Sequence, residues 1–328
     1  MIQQNQKLNP KLFEKDIEQA PTREGFGVGL VLAGRSNKNV VALCCDLTES
    51  TKMDGFKKEF PDRFIEMGIQ EQSMASVASG MATMGKIPFT SSYAMFSPGR
   101  AWEQIRTTIC YNDANVKIIG SHAGVSVGPD GGTHQALEDI AIMRCVPNMR
   151  IVYPCDTLEA EKATQEIAKI KGPVYLRLAR EKTPIITTPD TPFTFGKAQI
   201  YFKSEGKDIK VGIIASGPLL YNALISAKNL DEEGVGVKVM NLATIKPLPE
   251  EDILEFIKGL TGVVSIEEHQ VFGGVGGAIA ELLARENPIK MFFLGVNDKF
   301  GQSGEPEELI EHYGMGVSAI KEAVRKLI

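Results

Sequence analysis

A chain of 328 residues with 36 Lys and Arg against 41 Asp and Glu carries a net charge of −5. It has no basic run long enough to track a phosphate backbone, which excludes nucleic acid as a partner. Hydrophobic residues at 43% and charged residues at 23% exclude a disordered chain and a disulfide-stapled miniprotein, and the length predicts two domains at roughly 150 residues each. No stretch approaches the ~18 uninterrupted apolar residues that cross a bilayer, and the opening MIQQNQKLNP lacks the apolar centre of a signal peptide. The expectation is a cytoplasmic protein without a membrane partner. Cys44, Cys45, Cys110, Cys145 and Cys155 form no C-x-x-C pair and read as buried free thiols.

In chain order, the apolar runs predict strands at 40–45, 63–67, 87–91, 116–120, 150–153 and 174–178. Helical patterns fall between them at 72–84, 98–111, 135–145 and 157–170. Alternation at this spacing predicts an α/β fold with a parallel sheet and crossover helices. The last helix opens on Asp156-Thr157-Leu158-Glu159, a capping box, and ends at Gly172-Pro173. Residues 181–205 contain Pro184, Pro189 and Pro192, have no helical periodicity and read as a linker. Beyond it, strands predicted at 211–215, 235–241, 262–267 and 290–294 give a second, smaller α/β domain.

Ligands of an open parallel sheet gather outside the carboxyl ends of its strands. The residues following those ends are Asp46 and Ser50, Gln70-Glu71-Gln72, Ser92-Tyr93, Ser121-His122 and Arg180. Helix caps explain the serines and aspartate, whereas a glutamate, a histidine, an aromatic and an arginine together call for a ligand or an ion-pair network. The segment HAGVSVGPDGGTH, from His122 to His134, holds two of the chain's four histidines and Asp130 among glycines. It suits proton transfer or oxyanion recognition, or is a surface loop. A His-Asp-His metal site lacks a fourth ligand. Glu71 alone reads as a helix-start glutamate favoured by the macrodipole. The small face of Ala75, Ala78, Ser79 and Ala82 that follows it predicts a tight partner contact. Glu267-Glu268-His269 with Gly273, Gly274, Gly276 and Gly277 has the outline of a phosphate cradle, although close backbone packing is the preferred use of these glycines.

Taken together, FIEMGIQEQ, PFTSSYAMF, HAGVSVGPDGGTHQ, PNMRIVYPCD and VYLRLAR, in that order, closely resemble the pyrimidine-binding half of the transketolase family. With EEHQVFGGVGG, the similarity extends over about residues 20–328. The resemblance implies an N-terminal extension at 1–19, a thiamine diphosphate pyrimidine-binding domain at 20–185, a linker at 186–205 and a transketolase C-terminal domain at 206–328. The family's Gly-Asp-Gly motif for diphosphate and Mg²⁺ does not occur in the sequence. The implied enzyme is therefore a split transketolase, in which this chain pairs with an N-terminal subunit carrying the Mg²⁺ ligands and self-associates into a two-fold assembly.

By the same resemblance, Glu71 matches the glutamate that hydrogen-bonds N1′ of the aminopyrimidine. Asp46, Tyr93 and Phe96 match cofactor-proximal positions, with Tyr93 replacing a stacking Phe. Arg23, Ser50, His122 and Arg180 match the sugar-phosphate positions, and Asp130 and His134 those that meet the sugar hydroxyls. His122 and His134 join Glu71 as implied catalytic residues. Gly132 stands where the family often has proline, which predicts a looser loop. The implied reaction is transfer of a two-carbon ketol unit from a ketose phosphate to an aldose phosphate. The alternatives are a 1-deoxyxylulose-5-phosphate synthase-like or 2-oxo-acid dehydrogenase β-subunit-like decarboxylating enzyme, and a non-catalytic cofactor-binding partner.

Overall fold

The computed structural model describes residues 1–328. Its strands are β1 (Gln19–Pro21), β2 (Val40–Cys44), β3 (Phe64–Glu66), β4 (Ile87–Tyr93), β5 (Lys117–Ser121), β6 (Arg150–Val152), β7 (Val174–Arg177), β8 (Lys182–Pro184), β9 (Gln199–Lys203), β10 (Ile209–Ala215), β11 (Gly236–Asn241), β12 (Thr244–Lys246), β13 (Gly262–Gln270) and β14 (Lys290–Val296). The helices are α1 (Thr22–Ser36), α2 (Asp54–Glu59), α3 (Glu71–Thr83), α4 (Trp102–Gln104), α5 (Asp139–Arg144), α6 (Thr157–Ile167), α7 (Leu220–Glu232), α8 (Glu250–Ile257), α9 (Val275–Glu286), α10 (Pro306–His312) and α11 (Val317–Arg325). Seven strands form a sheet in the order β12-β6-β7-β5-β4-β2-β3, parallel except for β12. Five form a second sheet, β14-β13-β10-β11-β9, parallel except for β9. β2, β5 and β7 are buried along their whole length, as unalternating runs in a covered sheet require.

Several sequence readings need correction. Four of the cysteines are buried, but Cys145, just past the end of α5, is exposed. The segment 186–205 is not only a linker, because Gln199–Lys203 forms the antiparallel edge strand β9, with Tyr201 and Phe202 buried. Its prolines lie upstream and hid a short strand. Within 206–328, β12 crosses back to extend the first sheet, pairing with β6. The N-terminal segment packs on the second domain: Leu8, Leu12 and Ile17 enter its core, and Gln3 N–H donates to the Tyr201 carbonyl at 3.0 Å. The helix predicted at 98–111 is instead π-helical on both sides of the single turn α4. Most of the small face of α3 is covered inside the chain: Ala75, Ala78 and Ser79 are buried, Ala82 is half-buried, and Ser79 Oγ donates to the Thr108 carbonyl at 2.6 Å.

The two domains share a core, since one cluster of buried side chains runs from Val41, Met74 and Ile118 to Met240, Phe256 and Val275. A buried ion pair of the first domain lies at the joint, where Arg177 also donates to the Glu268 carbonyl of the second domain at 2.9 Å. Arg177 Nε and Nη2 donate to the two Asp139 oxygens at 2.7 and 3.0 Å, Tyr175 Oη donates to the same carboxylate, and both charged side chains are almost fully enclosed. Removing one partner of such a pair costs about 3–5 kcal/mol, because the other charge is left buried alone. At the glycines of 273–277 the amides at the start of α9 are taken by a carboxylate of the chain itself. Glu267 fills the start of α9, accepting from Val275 N–H at 2.6 Å and Gly276 N–H at 2.8 Å, and a Cβ on Gly274 would lie 2.1 Å from its carboxylate.

Half of the predicted capping box forms: Asp156 accepts from Glu159 N–H at 2.8 Å, whereas Glu159 reaches back past the cap and accepts from Cys155 N–H at 2.7 Å. Burial, then the neighbouring Asp156, pushes the Glu159 carboxyl up to about 7. A carboxyl raised in the folded state contributes stability fully below its unfolded value, lost as pH rises through the folded one. Glu159 therefore opposes folding increasingly between about pH 4.5 and 7. The Asn241 amide donates to Glu159 while its own Oδ1 lacks a partner, so rotating that amide accommodates either a protonated Glu159 or a glutamine. Glu159→Gln should accordingly gain stability relative to the parent chain over this window, by at most about 1.4 kcal/mol per pH unit. Chemical denaturation at pH 5 and pH 7.5 checks this; a mutant-to-parent difference independent of pH would refute it.

Candidate active site

The sheet order sets the site. Because β7, β5, β4, β2 and β3 lie side by side and parallel, their carboxyl ends place Arg180, His122, Tyr93, Asp46 and Glu71 in sequence along one rim. Glu71 is the first residue of α3, where the macrodipole favours a carboxylate. It is nevertheless only 2% exposed. Ser92 Oγ, at the end of β4, donates to its Oε1 at 3.1 Å, and Arg100 Nη1 lies 3.8 Å from Oε2. Glu71 Oε2 is buried without a hydrogen-bond partner. Such an orphaned acceptor is costly, and a ligand that brings a donor removes the cost.

The carboxylate opens onto a pocket of about 200 Å³ lined by Cys45, Asp46, Leu47, Ile69, Glu71, Phe96 and Arg100. An apolar wall, an aromatic ring and one unpaired acceptor fit a planar heteroaromatic ring with a protonated or protonatable nitrogen, as in an aminopyrimidine. Phe96 lines this pocket and Tyr93 does not. The Tyr93 ring is stacked on His122 instead, with centroids 3.8 Å apart and planes inclined by 22°. Asp46 is exposed, in a left-handed backbone conformation with φ of 57°, and its N–H donates to Glu66. His134 stands edge-on to Phe96 at 5.6 Å and to Tyr93 at 6.3 Å, so both histidines gather around the aromatic pair.

At the other end of the rim Arg23, Ser50, His122 and Arg180 come together. Arg23 Nε donates to the Arg180 carbonyl at 3.1 Å, and its Nη1 donates to the Ser50 carbonyl at 2.6 Å. Burial, then the adjacent Arg180 guanidinium, lowers Arg23 from the usual arginine range. Burial, with Arg23 and Arg180 next in effect, pushes His122 down to about 3. His122 is thus a neutral imidazole near pH 7, with Nδ1 engaged by Ser121 Oγ at 2.9 Å. Two crowded guanidiniums beside a neutral imidazole form an environment that an anion relieves. Arg180 Nη1 donates to the Val127 carbonyl at 2.6 Å and lies 3.8 Å from Asp130, which ties it to the glycine-rich loop.

Sequence reasoning did not single out Arg100, whose position four residues after Phe96 on an irregular helix hid its approach to Glu71. It also passed over Gln135, which follows His134 directly and is buried. No group of three or more His, Cys, Asp or Glu side chains is placed to hold a metal ion, and no helix is long and apolar enough to cross a membrane.

Comparison with known proteins bears on this geometry. Residues 18–185 match the transketolase pyrimidine-binding domain and residues 196–320 the transketolase C-terminal domain. A Methanocaldococcus jannaschii protein named as a transketolase C-terminal section is 43% identical over 92% of this chain and 94% of its own length. The 6-deoxy-6-sulfo-D-fructose transketolase subunit of a Clostridium species is 35% identical over 96% and 97% of the two chains. Human transketolase is 38% identical over 95% of this chain, which spans only 49% of the human protein. Among solved structures, a split-gene transketolase described as an inactive β4 tetramer superposes with a TM-score of 0.85 at 42% identity, covering 94% of this chain and 98% of the other. The chain belongs to the transketolase family and is a transketolase-type enzyme subunit, carrying that family's pyrimidine-binding and C-terminal domains.

Proposed function

We propose that this chain forms half of the active site of a heteromeric, thiamine diphosphate-dependent transketolase that moves a two-carbon ketol unit from an anionic ketose to an aldose phosphate. The observation that carries the reading is the buried Glu71 carboxylate, with one oxygen held by Ser92 and the other, near Arg100, without a hydrogen-bond partner at the pocket wall. When bound, thiamine diphosphate supplies the carbanion chemistry. Glu71 Oε2 would hold a proton at N1′ of its pyrimidine, Phe96 would offer the ring an aromatic wall, and Ser92 fixes the carboxylate's orientation. Asp46 borders the same pocket. The diphosphate and Mg²⁺ fall to an N-terminal-type partner subunit, because Gly-Asp-Gly is absent here and each full-length relative carries a second half beyond this match. Self-association of two such pairs completes the assembly.

Arg23 and Arg180 bind the substrate anion, with the Ser50 segment held against Arg23 and neutral His122 between the guanidiniums and the sugar. Asp130 and His134 face the hydroxyls near the reacting carbons. A pair of arginines accepts a phosphate or a sulfonate, and one similar subunit is named for a sulfonated ketose. Arg180→Ala should therefore raise KM for phosphorylated acceptors roughly ten- to hundredfold, the equivalent of a charge-assisted contact of about 1.5–3 kcal/mol, and barely change KM for their unphosphorylated analogues. Steady-state assays of the assembled complex with both substrate types test this. Equal changes for the two types would remove Arg180 from the anion site, and turnover of pyruvate with glyceraldehyde phosphate in place of ketol transfer would favour a decarboxylating enzyme.

A further inference from the structure

The glycine-rich loop from His122 to His134 is held by the C-terminal domain at its centre and at its end. Gln135, 2% exposed, donates from Nε2 to the Val125 carbonyl at 3.0 Å and the Gly128 carbonyl at 3.4 Å within the loop's helical turn. The same nitrogen donates to the Gln302 carbonyl of the C-terminal domain at 2.9 Å. Glu268 at the end of β13, also 2% exposed, accepts from Ser126 N–H at 2.5 Å. Arg177 Nη2 bridges the Ala136 and Glu268 carbonyls at 3.2 and 2.9 Å. The loop backbone also lies directly on the segment that follows β14. A Cβ on Gly131 would meet Ser303 Oγ at 2.6 Å, and one on Gly132 would meet the Gly301 carbonyl oxygen at 2.6 Å. Gly132 is thus a close-approach position whose missing side chain lets the two domains touch, and the looser loop expected from the sequence is clamped from outside.

The geometry points to Gln135 and Glu268 as positioning residues through which the C-terminal domain sets the shape of the sugar-binding loop. The inference rests on the reading of that loop given under Proposed function. Neither side chain borders the Glu71 pocket. They act through the backbone that carries Asp130 and His134, and a displacement of about 1 Å there is enough to lower turnover about a hundredfold. Contacts that only join two domains would instead alter stability and leave substrate discrimination unchanged.

Three variants separate these cases. Gln135→Glu keeps the shape and presents acceptors to three carbonyls. Glu268→Ala removes the acceptor for Ser126 N–H, and Glu268→Gln retains one. In the complex with the partner subunit, kcat/KM for a phosphorylated ketose should fall roughly ten- to hundredfold in Gln135→Glu and Glu268→Ala and recover in Glu268→Gln, with hydrogen–deuterium exchange at the cofactor C2 unchanged. In the isolated chain, backbone amide exchange across 122–136 should rise in the first two variants alone. Unchanged kcat/KM in well-folded variants, or C2 exchange falling in parallel with turnover, would overturn the inference. If the parent complex does not turn over sugar phosphates, the functional reading fails instead, and unchanged amide protection in both variants would separately overturn the clamp.

Discussion

Glu71→Gln is expected to slow hydrogen–deuterium exchange at the cofactor C2 by roughly 10² to 10⁴, the usual range for loss of a positioned acid or base. Glutamine is nearly isosteric, so the pocket and the Ser92 contact persist. What disappears is a carboxyl oxygen able to hold a proton at the ring nitrogen, and Oε2, which has no hydrogen-bond partner in this structure, is the oxygen proposed for it. The competing reading of Glu71 as a helix-start residue predicts a loss of at most about 1 kcal/mol of stability and no effect on exchange. A melting curve recorded with the exchange measurement separates the two. Near-parental exchange in a well-folded complex would leave Glu71 with only a structural role.

Much of this site was legible because parallel-sheet topology converts sequence order into spatial order. Residues that follow strand ends share a rim, so Glu71, His122 and Arg180 could be grouped before any contact was known. The glycines and histidines of 122–134 marked a loop in the same way. The side-chain partners were not legible. That Tyr93 stacks on His122 while Phe96 lines the pocket depends on the irregular turns after β4, which carry no periodic signal. Arg100 reaches Glu71 through the same turns.

The misread elements have a common cause: tertiary contacts override local pattern. The helix expected from Gln135 starts only at Asp139, because Gln135 and Ala136 are spent on clamping the loop. The glycine cluster after β13 has the outline of an anion site, yet Glu267, eight residues before the first amide it caps, occupies that place. The edge strand β9 is short and follows a proline-rich stretch, so its alternation spans too few residues to stand out.

The chain alone should be folded and catalytically inert, since the Glu71 pocket is proposed for the pyrimidine end of the cofactor only and the sequence holds no Gly-Asp-Gly for the diphosphate and Mg²⁺. The expected change on adding the partner is from no detectable turnover to rates in the ordinary enzyme range of about 1–10³ s⁻¹. Folding should not depend on that partner, because both large sheets and the shared core are complete within one chain. The most direct measurement mixes the purified chain, thiamine diphosphate and Mg²⁺ with and without a transketolase N-terminal-type subunit carrying Gly-Asp-Gly, and follows ketol transfer from a ketose phosphate to an aldose phosphate. The account predicts transfer only in the mixture, slowed there by roughly 10² or more by Glu71→Gln. Transfer by the isolated chain, or undiminished transfer by the Glu71→Gln mixture, would contradict it.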